Sequence, residues 1–399
     1  MNLFVANGYT DVGFGEPADV IVVNTCTVTG VSDKKSRQLI RRAAGTYPNA
    51  VIIAAGCYAQ AFPDLTAKLP GVDIVVGTGG RGGIVGLAEQ YINEKIQINA
   101  VTDVSGRETY ENLSVTGFKN RTRAFLKIGD GCDNRCAYCV VPRVRGPAVS
   151  RALYDIEREA RFFAREGFKE IVVTGIEIAS YGNDLNGPGL LDVVKTVASI
   201  DGIERIRFGS LPPGAFTDAF VRGLKQWPKV CDHFHISLQS GCDATLKRMN
   251  RGYTADDYKR AVSRVYGAFP DAGVAADVIA GFPGETDNEF EDSLKFCEGI
   301  PFIKLHAFPY SPRAGTPAAS FNGQISEDAK KARVKQYIGL SETKALTFKK
   351  RFMGKTMPVL FEGRTKTPGA YEGYTTNYIK IKHKSETDIS GQIIDVTIK

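Results

Sequence analysis

The sequence predicts an α/β protein with three regions: an N-terminal Rossmann-like parallel sheet, a central partial (β/α)6 barrel and a small C-terminal antiparallel β-barrel. In residues 1–105, β-branched apolar runs alternate with helical patterns. A longer series of the same kind occupies residues 121–345, and residues 346–399 alternate polar and apolar residues with period two. Residues 106–120 are polar and rich in Gly, Ser and Thr, which is typical of a linker.

Composition sets the class of protein. The chain has 399 residues, 43% hydrophobic and 24% charged, which is enough for two or three globular domains. It contains no run of roughly 20 apolar residues and no N-terminal signal pattern, so we expect a soluble, cytoplasmic protein. Eight cysteines in a reducing compartment indicate metal or redox chemistry before disulfides.

The net charge of +7 is concentrated at the C-terminus. Residues 349–399 hold ten Lys or Arg and five Asp or Glu side chains, so this segment supplies five of the seven excess charges. An excess of positive charge concentrated in one segment favours an anionic partner.

The N-terminal region predicts a doubly wound βαβαβα unit. Its strands are "ADVIVVNTC", "NAVIIAAGC" and "VDIVVGTGG", and its helices are "DKKSRQLIRRAAGTY", "AFPDLTAKL" and "GGIVGLAEQYINEK". Cys26 and Cys57 stand at the carboxyl ends of the first two strands, the edge where open α/β sheets bind ligands. Each cysteine alone could be a small buried hydrophobic residue. Together, on one edge, they are better explained as ligands.

The central region predicts six β/α units in the manner of an open barrel. The strands are "AFLKIGDG", "EIVVTGIE", "RIRFGS", "HFHISLQ", "AADVIAGF" and "FIKLHAFPYS". In such barrels chemistry lies at the C-terminal ends of the strands. A cysteine loop, Glu177, Ser210 and Gln239 follow the first four strands, and the turn "GFPGET" follows the fifth. Singly, each could be a helix cap or turn residue, but five coincidences on one rim favour a functional site.

The last region begins after a charged helix. Ser326 followed by Glu327 and Asp328 is a typical helix start. The runs "TMPVLFEG", "EGYTTNYIKIKH" and "GQIIDVTIK" then predict strands of a small barrel. Its mixture of aromatic and basic side chains is typical of nucleic-acid-binding barrels, although a solvated strand face is the alternative. The candidate nucleic-acid contacts are Tyr374, Tyr378, Lys380 and Lys382.

The loop "GCDNRCAYC" places Cys132, Cys136 and Cys139 in the pattern C-x3-C-x2-C. Thiolates select zinc or iron–sulfur clusters. Structural zinc takes four protein ligands, and the loop offers neither a His nor a fourth Cys. A cubane 4Fe–4S cluster held by three cysteines instead leaves one iron open to a small molecule. The loop therefore favours a cluster with an open iron.

This loop, the "TGIE" and "LQSG" turns and the partial barrel resemble the radical-SAM enzymes. The resemblance implies that Cys132, Cys136 and Cys139 hold a 4Fe–4S cluster whose open iron binds S-adenosylmethionine, which is cleaved to a 5′-deoxyadenosyl radical. It also implies cosubstrate contacts, with Ile176 replacing the second glycine of the family's Gly-Gly-Glu turn. These contacts are Tyr138, Gly175, Glu177, Ser210 and Gln239.

Further motifs resemble the radical-SAM methylthiotransferases over nearly the whole chain. They are "VVNTCTVTGVSDKKSRQ", "GCYAQ", "HFHISLQSGCDATLKRMNRGYT", "DVIAGFPGET" and "FPYSPRAGTPAA". The motifs "TCTVT" and "GCYAQ" most resemble those of the branch that acts on N6-threonylcarbamoyladenosine (t6A) beside the tRNA anticodon. The resemblance implies a second, auxiliary 4Fe–4S cluster and a C-terminal TRAM domain that binds tRNA. It also implies an electron donor such as flavodoxin or ferredoxin, and we expect a monomer.

The sequence departs from that family in one important respect. The auxiliary cluster of the family uses three cysteines, and Cys26 and Cys57 account for two of them. The third, with the first strand, would precede Met1, so we expect an N-terminally truncated chain, a true two-cysteine variant being the alternative. Pro212 and "GPAVSR" are smaller departures, and we interpret the remaining cysteines as structural. Those are Cys231, Cys242 and Cys297.

Two other functions stay open at this point. The same chemistry could act on N6-isopentenyladenosine in tRNA or on a ribosomal-protein side chain. From a different class, the chain could be a non-catalytic RNA-binding protein with zinc in the cysteine loop.

Overall fold

The computed structural model describes residues 1–113 and 121–399, so the predicted linker lies partly outside the described residues. The chain divides into two compact units. Unit 1 comprises the described residues of 1–116 together with 130–149 and 311–320. Unit 2 comprises the described residues of 117–129 together with 150–310 and 321–399. The cysteine loop and the "SPRAGTPAAS" segment therefore belong to unit 1.

Unit 1 is built on a four-stranded parallel sheet in the order β1-β2-β3-β4. The three predicted strands are confirmed, and a fourth strand, β4, was not predicted from the sequence. The strands are β1 (Val20–Thr25), β2 (Val51–Gly56), β3 (Ile74–Val76) and β4 (Ile98–Ala100), and the helices are α1 (Asn2–Ala6), α2 (Gly30–Thr46), α3 (Cys57–Ala61), α4 (Pro63–Ala67), α5 (Ile84–Glu94) and α6 (Val141–Arg145).

Apolar side chains bury both faces of this sheet. Ile40 of α2 packs with Ile52 on one face, whereas Ile84 of α5 packs with Ile53 on the other. Neighbouring residues of β2 point to opposite faces because side chains alternate along a strand. This two-faced burial explains why β2 is a continuous apolar run.

The helix predicted over "AFPDLTAKL" is found as α4, which begins at Pro63, and it is preceded by a short helix that was not predicted, α3, which ends at Ala61. Proline has no backbone N–H to donate and its ring crowds the preceding turn, so it is tolerated in the first turn of a helix and disrupts a helix interior. The break makes α3 a separate short helix that starts with Cys57.

Unit 2 contains a run of parallel strands followed by antiparallel ones, so the expected mixed α/β class is confirmed. Two sheets, β6-β5-β7-β8 and β11-β10-β9, are connected by bridges from Ile206 to Val230 and from Leu211 to Ile236, and β5, β7 and β8 of the first and all strands of the second pair in parallel. The strands are β5 (Arg123–Asp130, whose last residue belongs to unit 1), β6 (Val149–Ser150, at the boundary of the units), β7 (Glu170–Gly175), β8 (Arg205–Phe208), β9 (His233–His235), β10 (Gly273–Ala280) and β11 (Phe302–Pro309).

Helices alternate with these strands and bury one side of the parallel sheets. Ile156, Val193 and Val262 belong to the same apolar core as the strand residues. Capping boxes begin two of the helices, at Thr254 and Thr286. The helices are α7 (Leu153–Arg165), α8 (Leu190–Ala198), α9 (Asp218–Lys225), α10 (Asp243–Arg248), α11 (Ala255–Ala268) and α12 (Asp287–Gly299).

A long helix leads to the C-terminal sheet. The helix α13 spans Glu327–Lys350, and the Ser326 side chain accepts a hydrogen bond from the Ala329 N–H, as the sequence predicts. Four antiparallel strands follow in the order β14-β13-β12-β15. Among the described residues, no helix is long and apolar enough to cross a membrane. The four strands are β12 (Thr356–Arg364), β13 (Ala370–Thr375), β14 (Lys380–Lys384) and β15 (Ile393–Thr397).

Candidate functional site

Cys26 and Cys57 lie at one edge of the unit 1 sheet. Strands β1 and β2 are paired so that Thr25 lies opposite Gly56. Cys26 and Cys57 directly follow the last residues of these two strands. Cys26 is exposed and Cys57 is partly exposed, and both are free thiols. Parallel pairing therefore brings together two cysteines that are far apart in the sequence, as the strand patterns predict.

Gly56 is needed for this edge to form. Its φ is +107°, and a Cβ there would lie 2.6 Å from the main-chain oxygen of Thr25. Residues with a side chain rarely adopt this backbone conformation. A glycine at position 56 therefore allows the chain to turn from β2 into α3 at Cys57. On the other strand, the Ser36 hydroxyl accepts from the Cys26 N–H and donates to the Cys26 carbonyl, both at 3.1 Å. The main chain at both cysteines is thus fixed.

The cysteine loop begins at a second required glycine. Gly131 has φ +72°, and a Cβ there would lie 1.7 Å from the carbonyl oxygen of Pro147. The Cys132 N–H donates to the Gly146 carbonyl at 3.1 Å, and the Ala148 N–H donates to Asp133 at 3.1 Å. The segment "GPAVSR", which looks like an unexplained departure in the sequence, therefore forms the base of the cysteine loop.

A buried carboxylate lies where β5 meets this loop. Asp130 is 4% exposed. Its Oδ2 lies 3.1 Å from Nη1 of Arg145, 3.5 Å from Nη1 of Arg107 and 4.0 Å from Nη2 of Arg81. Three guanidinium groups thus share one carboxylate, which leaves a positive excess beside the loop.

Arg145 connects this carboxylate to Cys57. Its Nε donates to the Cys57 sulfur at 3.2 Å while Nη1 donates to Asp130. Burial lowers the pKa of Arg145, but attraction to Asp130 and Cys57 outweighs burial and the net shift is upward. The guanidinium is therefore charged and lies within hydrogen-bonding distance of the Cys57 sulfur.

The segment 311–320 connects the Cys26 side of unit 1 with the cysteine loop. Nη1 of Arg313 lies 2.6 Å from Asp33, whose other oxygen accepts from the Thr27 hydroxyl at 2.7 Å. The Ala318 N–H donates to the carbonyl of Ala137 at 2.9 Å. Arg313 lies in the motif "FPYSPRAGTPAA", whose structural role the sequence alone does not show.

The donor set of unit 1 suits iron–sulfur clusters. Cys132, Cys136 and Cys139 are three cysteines of one loop, and soft sulfur donors select iron–sulfur clusters or zinc over hard cations. In the described part of the chain, no three His, Cys, Asp or Glu side chains are already grouped as a metal site.

The predicted cosubstrate residues outside the loop lie in unit 2. Gly175 ends β7 and pairs with Gly129 of β5, and a Cβ there would lie 3.0 Å from the Gly129 oxygen. Glu177 follows it, and its Oε1 accepts from the Ala179 N–H at 3.1 Å. Burial raises the pKa of Glu177. The small residue and the carboxylate are thus held close to the carboxyl end of β7.

The other two predicted contacts follow later strands of unit 2. Ser210 is exposed two residues after β8. Gln239 has the unusual φ of +68°, and its N–H donates to the carbonyl of Asp277 at 2.8 Å. Its carbonyl accepts from the Ile279 N–H at 2.9 Å, so β10 holds the strained residue in place.

The predicted nucleic-acid residues fall into two groups. Tyr374 stacks on Tyr378 at 4.6 Å between ring centroids, and Tyr378 stacks on His233 of β9 at 4.4 Å. Lys380 is exposed and lies 2.8 Å from Glu372, and Lys382 is exposed on the same strand. The two tyrosines thus pack against the parallel strands, whereas the two lysines lie at the surface.

The cysteines that we interpreted as structural are buried. Burial raises the pKa of Cys231 and of Cys297 to about 12, so both are neutral thiols at pH 7. Cys242 is 9% exposed and precedes α10. Their positions in the core of unit 2 agree with the sequence interpretation.

Two family models match the chain. Residues 126–297 match the radical SAM superfamily, and residues 1–77 match the uncharacterized protein family UPF0004. The first match contains the cysteine loop together with Gly175, Glu177, Ser210 and Gln239. The second contains Cys26 and Cys57.

Curated relatives align over almost the whole chain. The threonylcarbamoyladenosine tRNA methylthiotransferase of Bacillus subtilis is 40% identical over 99% of this chain and 89% of its own length. The protein of that name from Thermotoga maritima is 36% identical over 95% of this chain and 85% of its own length. That from Aquifex aeolicus is 34% identical over 100% of this chain and 95% of its own length.

A solved structure shares the fold. The radical S-adenosylmethionine methyltransferase TsrM from Kitasatospora setae, with cobalamin and a 4Fe–4S cluster bound, superposes with a TM-score of 0.57. It is 14% identical and the match covers 76% of this chain and 66% of that chain. At this identity the likeness concerns the fold alone.

Proposed function

The chain belongs to the radical-SAM methylthiotransferase family, and we propose that it attaches a methylthio group to C2 of N6-threonylcarbamoyladenosine beside the tRNA anticodon. The observation that carries this proposal is the 34–40% identity, over nearly the whole chain, to three threonylcarbamoyladenosine tRNA methylthiotransferases. The cysteine loop directly after β5 supports the same chemistry.

The cysteines of unit 1 would hold the cofactors. Cys132, Cys136 and Cys139 would bind one 4Fe–4S cluster, and Cys26 and Cys57 would supply ligands to the auxiliary cluster. When bound with S-adenosylmethionine, these groups supply a 5′-deoxyadenosyl radical and the sulfur to be transferred. The protein fixes the main chain at each thiol and places the Arg145 guanidinium beside Cys57.

Residues near the strand ends would position S-adenosylmethionine. The Glu177 carboxylate would accept hydrogen bonds from the amino group of the methionine moiety, and Gly175 would leave space beside it. Tyr138 would lie by the adenine, and Ser210 and Gln239 would add polar contacts. These residues would orient S-adenosylmethionine and exclude water, because the radical chemistry comes from the cofactors.

We propose that the six parallel strands β5 and β7–β11 form the partial (β/α)6 barrel of this family and that the C-terminal sheet is its TRAM barrel. The corresponding domains are 1–105, 121–345 and 346–399. The exposed Lys380 and Lys382 would contact tRNA phosphates, with Tyr374 and Tyr378 contributing aromatic surface. Binding of tRNA should then weaken as salt increases.

The cellular setting follows from this substrate. The proposal places the protein in the cytoplasm with tRNA. It also requires an electron donor such as flavodoxin or ferredoxin, and we propose that the enzyme works as a monomer.

Nucleoside analysis tests the function. The holoenzyme, or the chain expressed in a strain that lacks the activity, should convert t6A of tRNA to its 2-methylthio derivative. Cys132→Ala should abolish the product, because one cluster ligand is lost, while Cys242→Ser serves as a matched cysteine control outside the loop. Methylthiolation of N6-isopentenyladenosine or of a ribosomal protein, with t6A unchanged, would overturn the substrate assignment. Zinc in place of iron and sulfide after anaerobic reconstitution would overturn the enzymatic assignment.

A further inference from the structure

A large cavity in unit 2 has no role in the function described so far. Its volume is about 1180 Å³, which is above the range of about 300–1,000 Å³ for small-molecule sites. Residues of β5, β7–β11 and the C-terminal sheet line it. We call it the His233 cavity, and the lining residues that matter most are His233, His235, His306, Arg123, Phe125 and Tyr378.

His233 carries a polar atom without a partner. The side chain is 7% exposed, and its Nδ1 is buried without a hydrogen-bond partner among the described residues. Burial lowers its pKa well below the ordinary value, so the ring is neutral at pH 7. Buried polar atoms are nearly always hydrogen-bonded in folded proteins, so this nitrogen is available to a hydrogen-bonding group that enters the cavity.

A second histidine shows the same feature. Nε2 of His235 lies 3.2 Å from the Asp277 carboxylate. The two are not aligned as a hydrogen bond, and Nε2 has no hydrogen-bond partner in the described part of the chain. The ring stacks on His306 with 5.5 Å between centroids and 13° between planes. The two rings present nitrogen atoms and a flat surface to the same cavity.

The lining is cationic as well as polar. It includes six Lys or Arg side chains and two Glu side chains. Phe125 and Val172 supply apolar surface. A suitable ligand would therefore combine a negative charge, hydrogen-bonding groups and a small apolar part.

A predicted cosubstrate residue is connected to the cavity lining through Asp277. The Gln239 N–H donates to the carbonyl of Asp277, and the Asp277 side chain lies beside His235. In adenine, C2 and the N6-bearing carbon both flank N1, so a substituent on N6 lies close to the reacting carbon. A pocket for this substituent should accordingly lie next to the cosubstrate residues.

We propose that the His233 cavity receives the threonylcarbamoyl substituent of the substrate, with His235 and His306 as specificity-determining residues. This inference rests on the proposed function. The substituent has a carboxylate for the basic lining, carbamoyl and hydroxyl groups for the histidine nitrogens, and a methyl group for the apolar surface. An isopentenyl group would leave those nitrogens unsatisfied, and sites built for hydrogen bonds discriminate strongly against analogues that lack them.

The test compares two anticodon stem-loop RNAs that differ at one nucleoside, t6A or unmodified adenosine. Affinity of the reconstituted holoenzyme for each is measured by fluorescence anisotropy, and single-turnover methylthiolation is followed in parallel. We expect His235→Leu and His306→Leu to reduce the preference for the t6A RNA by about 10- to 100-fold. The affinity for the adenosine RNA should change little. The exposed His383→Leu is the matched control and should keep the preference.

The outcomes separate this inference from the proposed function. If His235→Leu unfolds, the partly exposed His306→Leu still decides the question. Unchanged preference in a folded His306→Leu, with t6A methylthiolated by the unsubstituted enzyme, would overturn the pocket and leave the function standing. Preferential binding of the t6A RNA without methylthiolation, lost in the variants, would support the pocket and overturn the function.

Discussion

Unit 1 and unit 2 each contain a buried carboxylate surrounded by three arginines. Asp130 of unit 1 contacts Arg145, Arg107 and Arg81 at 3.1, 3.5 and 4.0 Å. Glu170 of unit 2 contacts its own three guanidinium groups at 2.7, 3.7 and 3.8 Å, from Arg207, Arg123 and Arg205 respectively. The same charge pattern therefore occurs at the end of β5 and at the start of β7.

The two clusters differ in where the remaining N–H groups go. At Asp130, Arg145 donates to a cysteine sulfur. At Glu170, Arg205 donates to the carbonyls of Tyr374 and Pro358, and Arg207 donates to that of Thr376. One cluster thus orients a candidate cofactor ligand, whereas the other fastens the C-terminal sheet to the parallel strands. In both clusters the arginines therefore act through their several N–H donors as well as through their charge.

The largest expected effect is the loss of Glu170. Glu170→Gln leaves Arg207 and Arg205, each less than 5% exposed, without their carboxylate. Removing one partner of a buried ion pair costs about 3–5 kcal/mol. Urea unfolding at pH 7 should show this loss in the free energy of unfolding. Glu372→Gln, which breaks the exposed pair with Lys380, should cost less than about 1 kcal/mol; equal losses for the two variants would contradict the role of burial.

Asp130→Asn should have a smaller effect on stability. Its arginine neighbours are 9–25% exposed, so water can reach them when the carboxylate is gone. We expect a loss of about 1–3 kcal/mol in the same urea experiment. Iron and sulfide per chain after reconstitution should also fall, because the start of the cysteine loop loses its anchor. A loss as large as that of Glu170→Gln would show that the two clusters are equivalent after all.

Arg145→Gln tests the connection to the sulfur. Asp130 keeps Arg107 and Arg81, so the expected loss of stability is about 1 kcal/mol. The specific effect should be on the Cys57 side: less iron should be retained at the N-terminal cysteines in a Cys132→Ala, Cys136→Ala, Cys139→Ala background. Arg143→Gln changes an exposed arginine on the same helix and is the matched control. Identical iron retention in the two variants would show that Arg145 does not support iron binding at the N-terminal cysteines.

The smallest effect concerns pH. Burial raises the pKa of Glu170, but attraction to Arg207 and its neighbours outweighs burial and the net shift is downward. A carboxyl with a lowered folded-state pKa contributes stability above its unfolded value, near 4.5, and loses that contribution as pH falls through the folded-state pKa. Stability of the unsubstituted protein should therefore fall more steeply below that pH than stability of Glu170→Gln. Parallel curves for the two proteins would exclude the linkage.

Local sequence signals predicted most of what lies within one element or one turn. The β-branched runs located β1, β2 and β3, and Ser326 located the start of α13. The pairing of Thr25 with Gly56 confirms that Cys26 and Cys57 share an edge. The helix predicted over "AFPDLTAKL" is present as α4, which starts at Pro63, whereas the short helix α3 before it was not predicted.

Contacts between distant residues were not visible in the sequence. Arg313 and Asp33 are 280 positions apart, and no spacing rule connects them. Tyr378 sits in the run "EGYTTNYIKIKH", which was predicted as one strand but forms β13 and β14; Tyr378 lies between them with φ +72°, and its ring stacks on His233. The orphan nitrogen of His233 likewise depends on which side chains surround it.

The sequence by itself determined the chemistry on offer: three thiols in one loop, two at strand ends, and a basic C-terminus, each encoded by spacing or composition within short segments. The tertiary structure alone decided which charged groups meet those thiols and which nitrogens remain unpaired in the cavity of unit 2. The physical reason is that ion pairs and hydrogen bonds depend on distances of about 3 Å between atoms. Such distances between residues remote in the chain are fixed only when the sheets and helices pack.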